Sequence, residues 1–260
     1  MQSTRTETDS FGEIEVPNHV LWGAQTARSL QFFAIGEQRM PVDIIHALAA
    51  IKWAAACVNY DVRRLSQDRS KAIANAALNV ADGQFDQEFP LSVWQTGSGT
   101  QSNMNVNEVI AHLATEDLQG KVENAKKIHP NDEVNLGQSS NDVFPSAMHI
   151  AIARQTHQKL IPTLAHLHKI LLDKSVEFTD VIKVGRTHLQ DATPITLGQE
   201  FSGYAAQIEL CKSSLNQSLP AIYNLAIGGT AVGTGLNTHP EFGTRVAHLL
   251  AEKFSLPFTP

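Results

Sequence analysis

The sequence predicts a mainly α-helical fold: a mostly helical first domain over residues 1–138, then the first, incomplete part of a long-helix bundle over 139–260. Three observations predict it. Apolar residues recur at steps of three and four along most of the chain, the period of one helix face. From residue 144 onward that spacing persists far longer than an average globular helix requires. Only "GEIEVP" (12–17) reads as a short strand, so the β content is minor.

The elements follow in order. The first forty residues look irregular apart from that strand. After Pro41, Ile44, Leu48, Ile51, Ala55 and Val58 mark a helix, and Pro41 suits its start, where a missing N–H costs nothing. A second helix runs from an N-cap at Ser66 to a C′ glycine at Gly83. "QFDQEFPLSVWQ" is a loop. Val106, Ile110 and Leu113 predict a helix beginning near Thr100 or Gln101, and 118–140 form another loop. Leu160, Leu164, Leu167 and Leu171 mark a long helix from Phe144 to Phe178, about 50 Å at the usual rise. Pro145 fits its first turn and Pro162 kinks it. "VGRTHLQDATP" is a loop. A second long helix carries Leu197 to Leu225, and a short one runs from Pro240 to Phe254.

Composition narrows the function. The formal charge is −6, from 20 basic and 26 acidic residues, and no basic stripe points to nucleic acid. No apolar run approaches the ~18 residues of a membrane span. The N-terminus lacks the apolar core of a secretory signal. Cys57 and Cys211 each read as a buried inert thiol. The expectation is a soluble cytoplasmic protein with neither nucleic acid nor membrane as partner.

Three polar clusters share a design: "TGSGTQSN" (96–103), "GQSSND" (137–142) and "GRTHLQD" (185–191). Each is rich in hydroxyls and amides and is expected in a loop beside a helix end. Such ends carry unpaired N–H groups and a partial positive charge, so the clusters can cradle a small carboxylate. For any one of them N-capping or turn-making alone is the stronger account, and it is the recurrence of three similar clusters that favours function. Of eleven histidines, His46, His112, His157, His166, His168 and His248 fall in helical text, and His149 reads either way. His188 and His129 lie in polar loops. No HExxH, CxxC or carboxylate–histidine spacing points to a metal. "GGTAVGTG" lacks the Lys-Ser/Thr of a phosphate loop.

These motifs, with "LWGAQTARS", "HPNDEVN", "QSSNDVFPSAMHIA" and "GRTHLQDATPITLGQE", closely resemble class II fumarate hydratase of the fumarase/aspartase superfamily, over essentially all 260 residues. Aspartases usually carry Gln where this chain has His188, and Thr where it has Ser140. Leu136-Gly137 departs from the family, whose members more often have Lys or Met followed by Ser.

The resemblance implies reversible hydration of fumarate to (S)-malate, a citric-acid-cycle step, with no metal and no cofactor. By motif match, Ser98, Gly99, Thr100, Ser139, Ser140, Asn141 and Thr187 bind substrate, and His188 is the catalytic acid/base group. His129, Pro130, Asn131 and Asp132 match a second dicarboxylate site. The family forms homotetramers around a shared helical bundle, with active sites drawn from three subunits. Its chains continue into a Gly-Ser-Ser-rich loop that supplies the proton-abstracting serine, so this chain is expected to be inactive alone. An aspartase-like ammonia lyase and a non-catalytic scaffold are the competing expectations.

Overall fold

The structure is a computed structural model and describes residues 3–122 and 125–260. Its elements run β1 (Thr4–Asp9), β2 (Gly12–Pro17), α1 (Ala24–Phe32), α2 (Val42–Asp61), α3 (Gln67–Ala81), α4 (Thr100–Gln119), α5 (Ser140–Gln155), α6 (Ile161–Glu177), β3 (Ile182–Thr187), β4 (Gln190–Thr196), α7 (Leu197–Ile222) and α8 (Phe242–Phe254). Helix dominates, as the periodicity predicts. The chain divides into two compact units: Met1–Ala151 with Tyr223–Pro260, and Ile152–Ile222. The boundary expected at 138/139 falls inside the first.

In the first unit the N-terminal segment is more ordered than its sequence predicts. β1 and β2 pair antiparallel from Thr4↔Pro17 to Asp9↔Gly12. The Arg5 guanidinium donates to the carbonyls of Pro17 and Val20 at 2.9 and 2.8 Å and of Trp22 at 2.8 Å. The start of α1 is capped from far along the chain. Glu108 accepts from the backbone N–H groups of Gly23, Gln25 and Thr26 and from the Thr26 hydroxyl, at 2.6–3.1 Å. Burial pushes the Glu108 carboxyl up, and those four bonds pull the other way.

The core is built on α2. Leu48, Ile51, Ala55 and Val58 are buried as the pattern predicts. Burial also extends round to Ile45, Ala47, Ala49 and Ala54, so α3, α4 and α8 all pack on it. From α8, Phe242, Val246 and Leu250 are fully buried. This corrects the membrane reading: α2, at 20 residues, is long and apolar enough to span a bilayer. Two thirds of its most apolar stretch is buried in the protein, the state of a core helix. Helix α3 starts after Ser66 and ends before Gly83, whose φ of +82° is the left-handed turn expected there.

The expected loop over 118–140 contains a π-helical turn at Pro130–Val134; Glu123 and Asn124 lie outside the described residues. The single long helix expected from Phe144 is divided. A π-helical turn at Thr156–Leu160 separates α5 from α6. Pro162 lies in the first turn of α6, and the widened turn ahead of it accommodates a ring that a regular helix would force against the carbonyl of residue 158. Since α5 begins at Ser140, Pro145 is interior rather than in the first turn.

In the second unit α6 packs on α7. Gly198 permits the approach: a Cβ there would sit 2.4 Å from the Ser175 carbonyl oxygen. The expected loop "VGRTHLQDATP" is instead an antiparallel hairpin, β3–β4, with a bulge between Val184 and Arg186. Helix α7 ends before Leu225. No residue of α6 is fully buried. Val176, Ile182 and Leu210 are 75%, 77% and 68% exposed. Cys211 is exposed rather than buried, because it lies on an uncovered part of α7; Cys57 is half-buried.

Candidate functional site

Two of the three polar clusters meet. The first ends in a left-handed turn at Gly99, φ +66°, from which α4 starts. A Cβ on Gly99 would lie 2.2 Å from the Phe144 ring of α5, so only glycine fits both the backbone angle and the space. Ser98 and Thr100 hold their hydroxyl oxygens 3.1 Å apart at this turn. Thr96 donates its hydroxyl to Gln101 at 2.6 Å.

The second cluster caps α5. The Ser139 hydroxyl accepts from the Asn141 N–H at 3.3 Å, and the Asp142 carboxylate accepts from the Ser139 N–H at 2.9 Å. This reciprocal arrangement is a capping box with aspartate as its acid. Asp142 reaches further: its second oxygen accepts from the N–H groups of Gly228 and Thr230, both at 3.0 Å. Asn141 donates its side-chain amide to the Ala231 carbonyl at 2.8 Å. The glycine-rich segment "AIGGTAVGTG" is thus tied to the start of α5. Burial pushes the Asp142 carboxyl up, against its three backbone N–H bonds and the charge of Lys52.

A buried polar layer joins the clusters. Asn103, on the first turn of α4, donates to the Ser140 hydroxyl at 3.1 Å and to Asn135 Oδ1 at 3.2 Å. Asn135 Oδ1 also accepts from Lys52 Nζ of α2 at 2.8 Å. Gln138 Oε1 accepts from the same ammonium at 2.9 Å. Between these amides, Gly137 has φ +72°, and a Cβ there would lie 2.8 Å from the Thr238 hydroxyl. That accounts for the glycine at 137, which this backbone favours; nothing in the structure explains Leu136.

Sequence reasoning missed Lys52 and Asn135 as members of the site; Asn103, Gln138 and Asp142 fell inside the polar clusters but were given no role of their own. One signal was readable: a lone lysine inside the apolar run "AAIKWAAACV", where a charge needs polar partners.

The third cluster lies in the second unit and is a hairpin tip, not a loop beside a helix end. Thr187 closes β3 opposite Gln190. His188 and Leu189 form the two-residue turn with φ of +50° and +61°. Both angles are left-handed, as a type I′ hairpin turn demands, and neither residue is the glycine or asparagine usual there. His188 and Thr187 are exposed, and Leu189 is 97% exposed. Strain of this kind concentrates where function over-determines the backbone.

The motif at 129–132 folds into one turn. His129 Nδ1 accepts from the Asp132 N–H at 3.0 Å. Pro130 opens the π-helical turn, and Asn131 donates to the Asp132 carboxylate at 3.4 Å. His129, Asn131 and Asp132 are exposed.

Comparison with known proteins shows the family and the fold. A family described as Lyase matches residues 12–260. The chain is 59% identical over 256 residues to a class II fumarate hydratase of Methylorubrum extorquens, covering 98% of this chain and 54% of that protein. The structure matches a class II fumarase from Schistosoma mansoni at a TM-score of 0.93 and 49% identity, over 97% of this chain and 53% of that one. A fumarate lyase:delta crystallin from Brucella melitensis matches at 0.92 and 37% identity, over 99% and 56%. The chain therefore spans about half the length of the relatives it matches. From the match over nearly all its residues and the fold it shares with these proteins, the chain belongs to the lyase family.

Proposed function

We propose that the protein takes part in the reversible hydration of fumarate to (S)-malate, in the cytoplasm, as a homotetramer with shared active sites. The observation that carries this reading is the junction of the α4 and α5 starts, where neutral hydroxyls and amides converge on two helix N-termini. Dehydrating malate removes a weakly acidic proton beside a carboxylate, and the intermediate piles negative charge on that carboxylate. Pre-aimed donors stabilise that developing charge, and helix starts add partial positive charge.

On this reading Ser98, Gly99, Thr100, Ser139, Ser140, Asn141 and Thr187 hold the substrate. His188, on its exposed turn, protonates the departing hydroxide and in the reverse direction takes a proton from water. His129, Pro130, Asn131 and Asp132 hold a second dicarboxylate. The proton-abstracting serine comes from the part of the relatives that this chain does not match, so the 260-residue chain alone has no turnover. The exposed apolar residues of α6 and α7 support a tetramer built on those helices.

The test is a chimera joining this chain to the unmatched remainder of the Methylorubrum extorquens relative. It should hydrate fumarate, and His188→Ala should lower kcat by about a thousandfold, within the usual range for a positioned acid/base group. A folded chimera that deaminates aspartate faster than it hydrates fumarate would favour an ammonia lyase. A folded, inert chimera would favour a scaffold. Leu210→Lys should shift the sedimentation of the chimera to smaller species; an unchanged tetramer would remove α7 from the interface.

A further inference from the structure

Lys52 is a charge in an apolar place. It is fully buried on α2, and among the described residues it has no ion pair within 4.0 Å. Burying an ammonium costs several kcal/mol per ion unless hydrogen bonds offset it. Here the partners are two side-chain amide oxygens, Asn135 Oδ1 and Gln138 Oε1. Burial lowers its pKa to about 7, against the opposing charge of Asp142.

The arrangement has a direction. An amide side chain can face a neighbour with either its oxygen or its NH2 group. Lys52 Nζ donates to both amides, and it has the two N–H groups this takes whether or not it holds its extra proton, so both amides turn oxygens toward it. Asn135 Oδ1 is then also the acceptor for Asn103, which must present its NH2 group. The same NH2 group donates to the Ser140 hydroxyl oxygen. Ser140 therefore accepts from the interior and keeps its own proton for the outside. Gln138 and Asn59 hold the intervening loop in place through the carbonyls of Val134 and Leu136, at 3.0–3.3 Å.

We propose that Lys52 is a positioning residue of the substrate site: through Asn135 and Asn103 it fixes the Ser140 hydroxyl as a donor toward the substrate carboxylate. The proposal rests on the fumarate reading above for the identity of that carboxylate. With Lys52 replaced by an apolar residue, only the 3.4 Å donation of the Asn135 amide to the Gln138 carbonyl opposes a flip; once Asn135 flips, Asn103 follows and Ser140 can donate inward.

Two measurements test it. In the 260-residue chain, Lys52→Met should speed amide hydrogen exchange about tenfold at 135–142 and in the first turn of α4. Exchange should be unchanged where Glu108 caps α1, all read equally far below each melting temperature. Uniform acceleration, or none, overturns the proposal.

In the chimera, Lys52→Met and Ser140→Ala should each lower kcat/KM for fumarate about tenfold, the worth of one hydrogen bond to a charged group. The double variant should lose no more than either alone, since both act on one donor. Additive losses, or a Lys52→Met variant unaffected where Ser140→Ala is impaired, overturn the proposal and leave the fumarate reading standing. An inert unsubstituted chimera sinks the fumarate reading, and the exchange result then decides the role of Lys52. If Lys52→Met does not fold, Asn103→Asp replaces the donor to Ser140 with an acceptor of equal size. It should cost the same tenfold, and wild-type kcat/KM there overturns the proposal.

Discussion

The two units solve the same problem in opposite ways. The first buries its apolar side chains on a central helix and satisfies its buried charges internally: Glu108 with four donors, Asp142 with three backbone N–H groups, Lys52 with two amides. In the second, α6 buries no side chain completely, and α7 buries only Gly198, Ala205 and Leu219. Both read as amphipathic helical text, yet only the first is a finished core. Periodicity reports that a face wants cover, not whether the same chain covers it.

The sharpest test of that contrast replaces one apolar residue in each unit. Phe242→Ala, in the fully buried position on α8, should cost about 3–5 kcal/mol by urea denaturation. Leu210→Ala on the exposed part of α7 should cost less than about 0.5 kcal/mol in the isolated chain. Equal losses would mean the second unit is as well packed as the first.

Glycines give the next test. Gly99→Ala combines left-handed strain with a collision against Phe144 and should cost about 3 kcal/mol. Gly203→Ala on α7 meets nothing within 4 Å and should stabilise by roughly 0.5–1 kcal/mol. Thermal unfolding of the two variants should move the midpoint in opposite directions.

Proton linkage sharpens the contrast further. The Lys52 pKa is lowered from 10.5 to about 7 on folding. Between those values the unfolded chain binds the proton and the folded chain does not. Stability should therefore rise with pH across that window, by at most about 1.4 kcal/mol per unit from this residue. Below pH 7 the cost of burying the charged form is fully present. Lys52→Met should flatten the slope in denaturation experiments at several pH values; an unchanged slope would assign the linkage elsewhere.

The smallest effect is expected at the hairpin tip. Leu189→Gly relieves one left-handed side chain and should stabilise by about 0.5 kcal/mol, since added chain entropy offsets part of the gain. Slower amide exchange in β3 and β4 would show it.

Much of this was legible from spacing. The cores of α2 and α4 follow from apolar steps of three and four, the ends of α3 from Ser66 and Gly83, and α8 from its start after Pro240. The N-terminal α1 was not legible, because the carboxylate that caps it stands more than eighty residues away. The β3–β4 hairpin was hidden by Pro194 in its second strand and by a turn of His188 and Leu189, residues that carry no turn signal. At the candidate site, hydroxyl and amide clusters announced themselves by composition. Their wiring did not: Lys52 meets Asn135 and Gln138 across 83 and 86 positions, and no local pattern encodes such a meeting.

The return of the chain to its first unit carries a consequence for biosynthesis. Helix α2 is complete by Asp61, but α8, which covers part of it, begins only at Phe242. At the usual ribosomal pace of about 5–20 residues per second, roughly 10–40 s separate the two. For that interval an apolar helix long enough to interest a membrane emerges with one neighbour missing. The nascent chain should therefore engage trigger-type holdases between these points, and ribosome profiling of holdase-bound chains should place their release after α8 has left the exit tunnel.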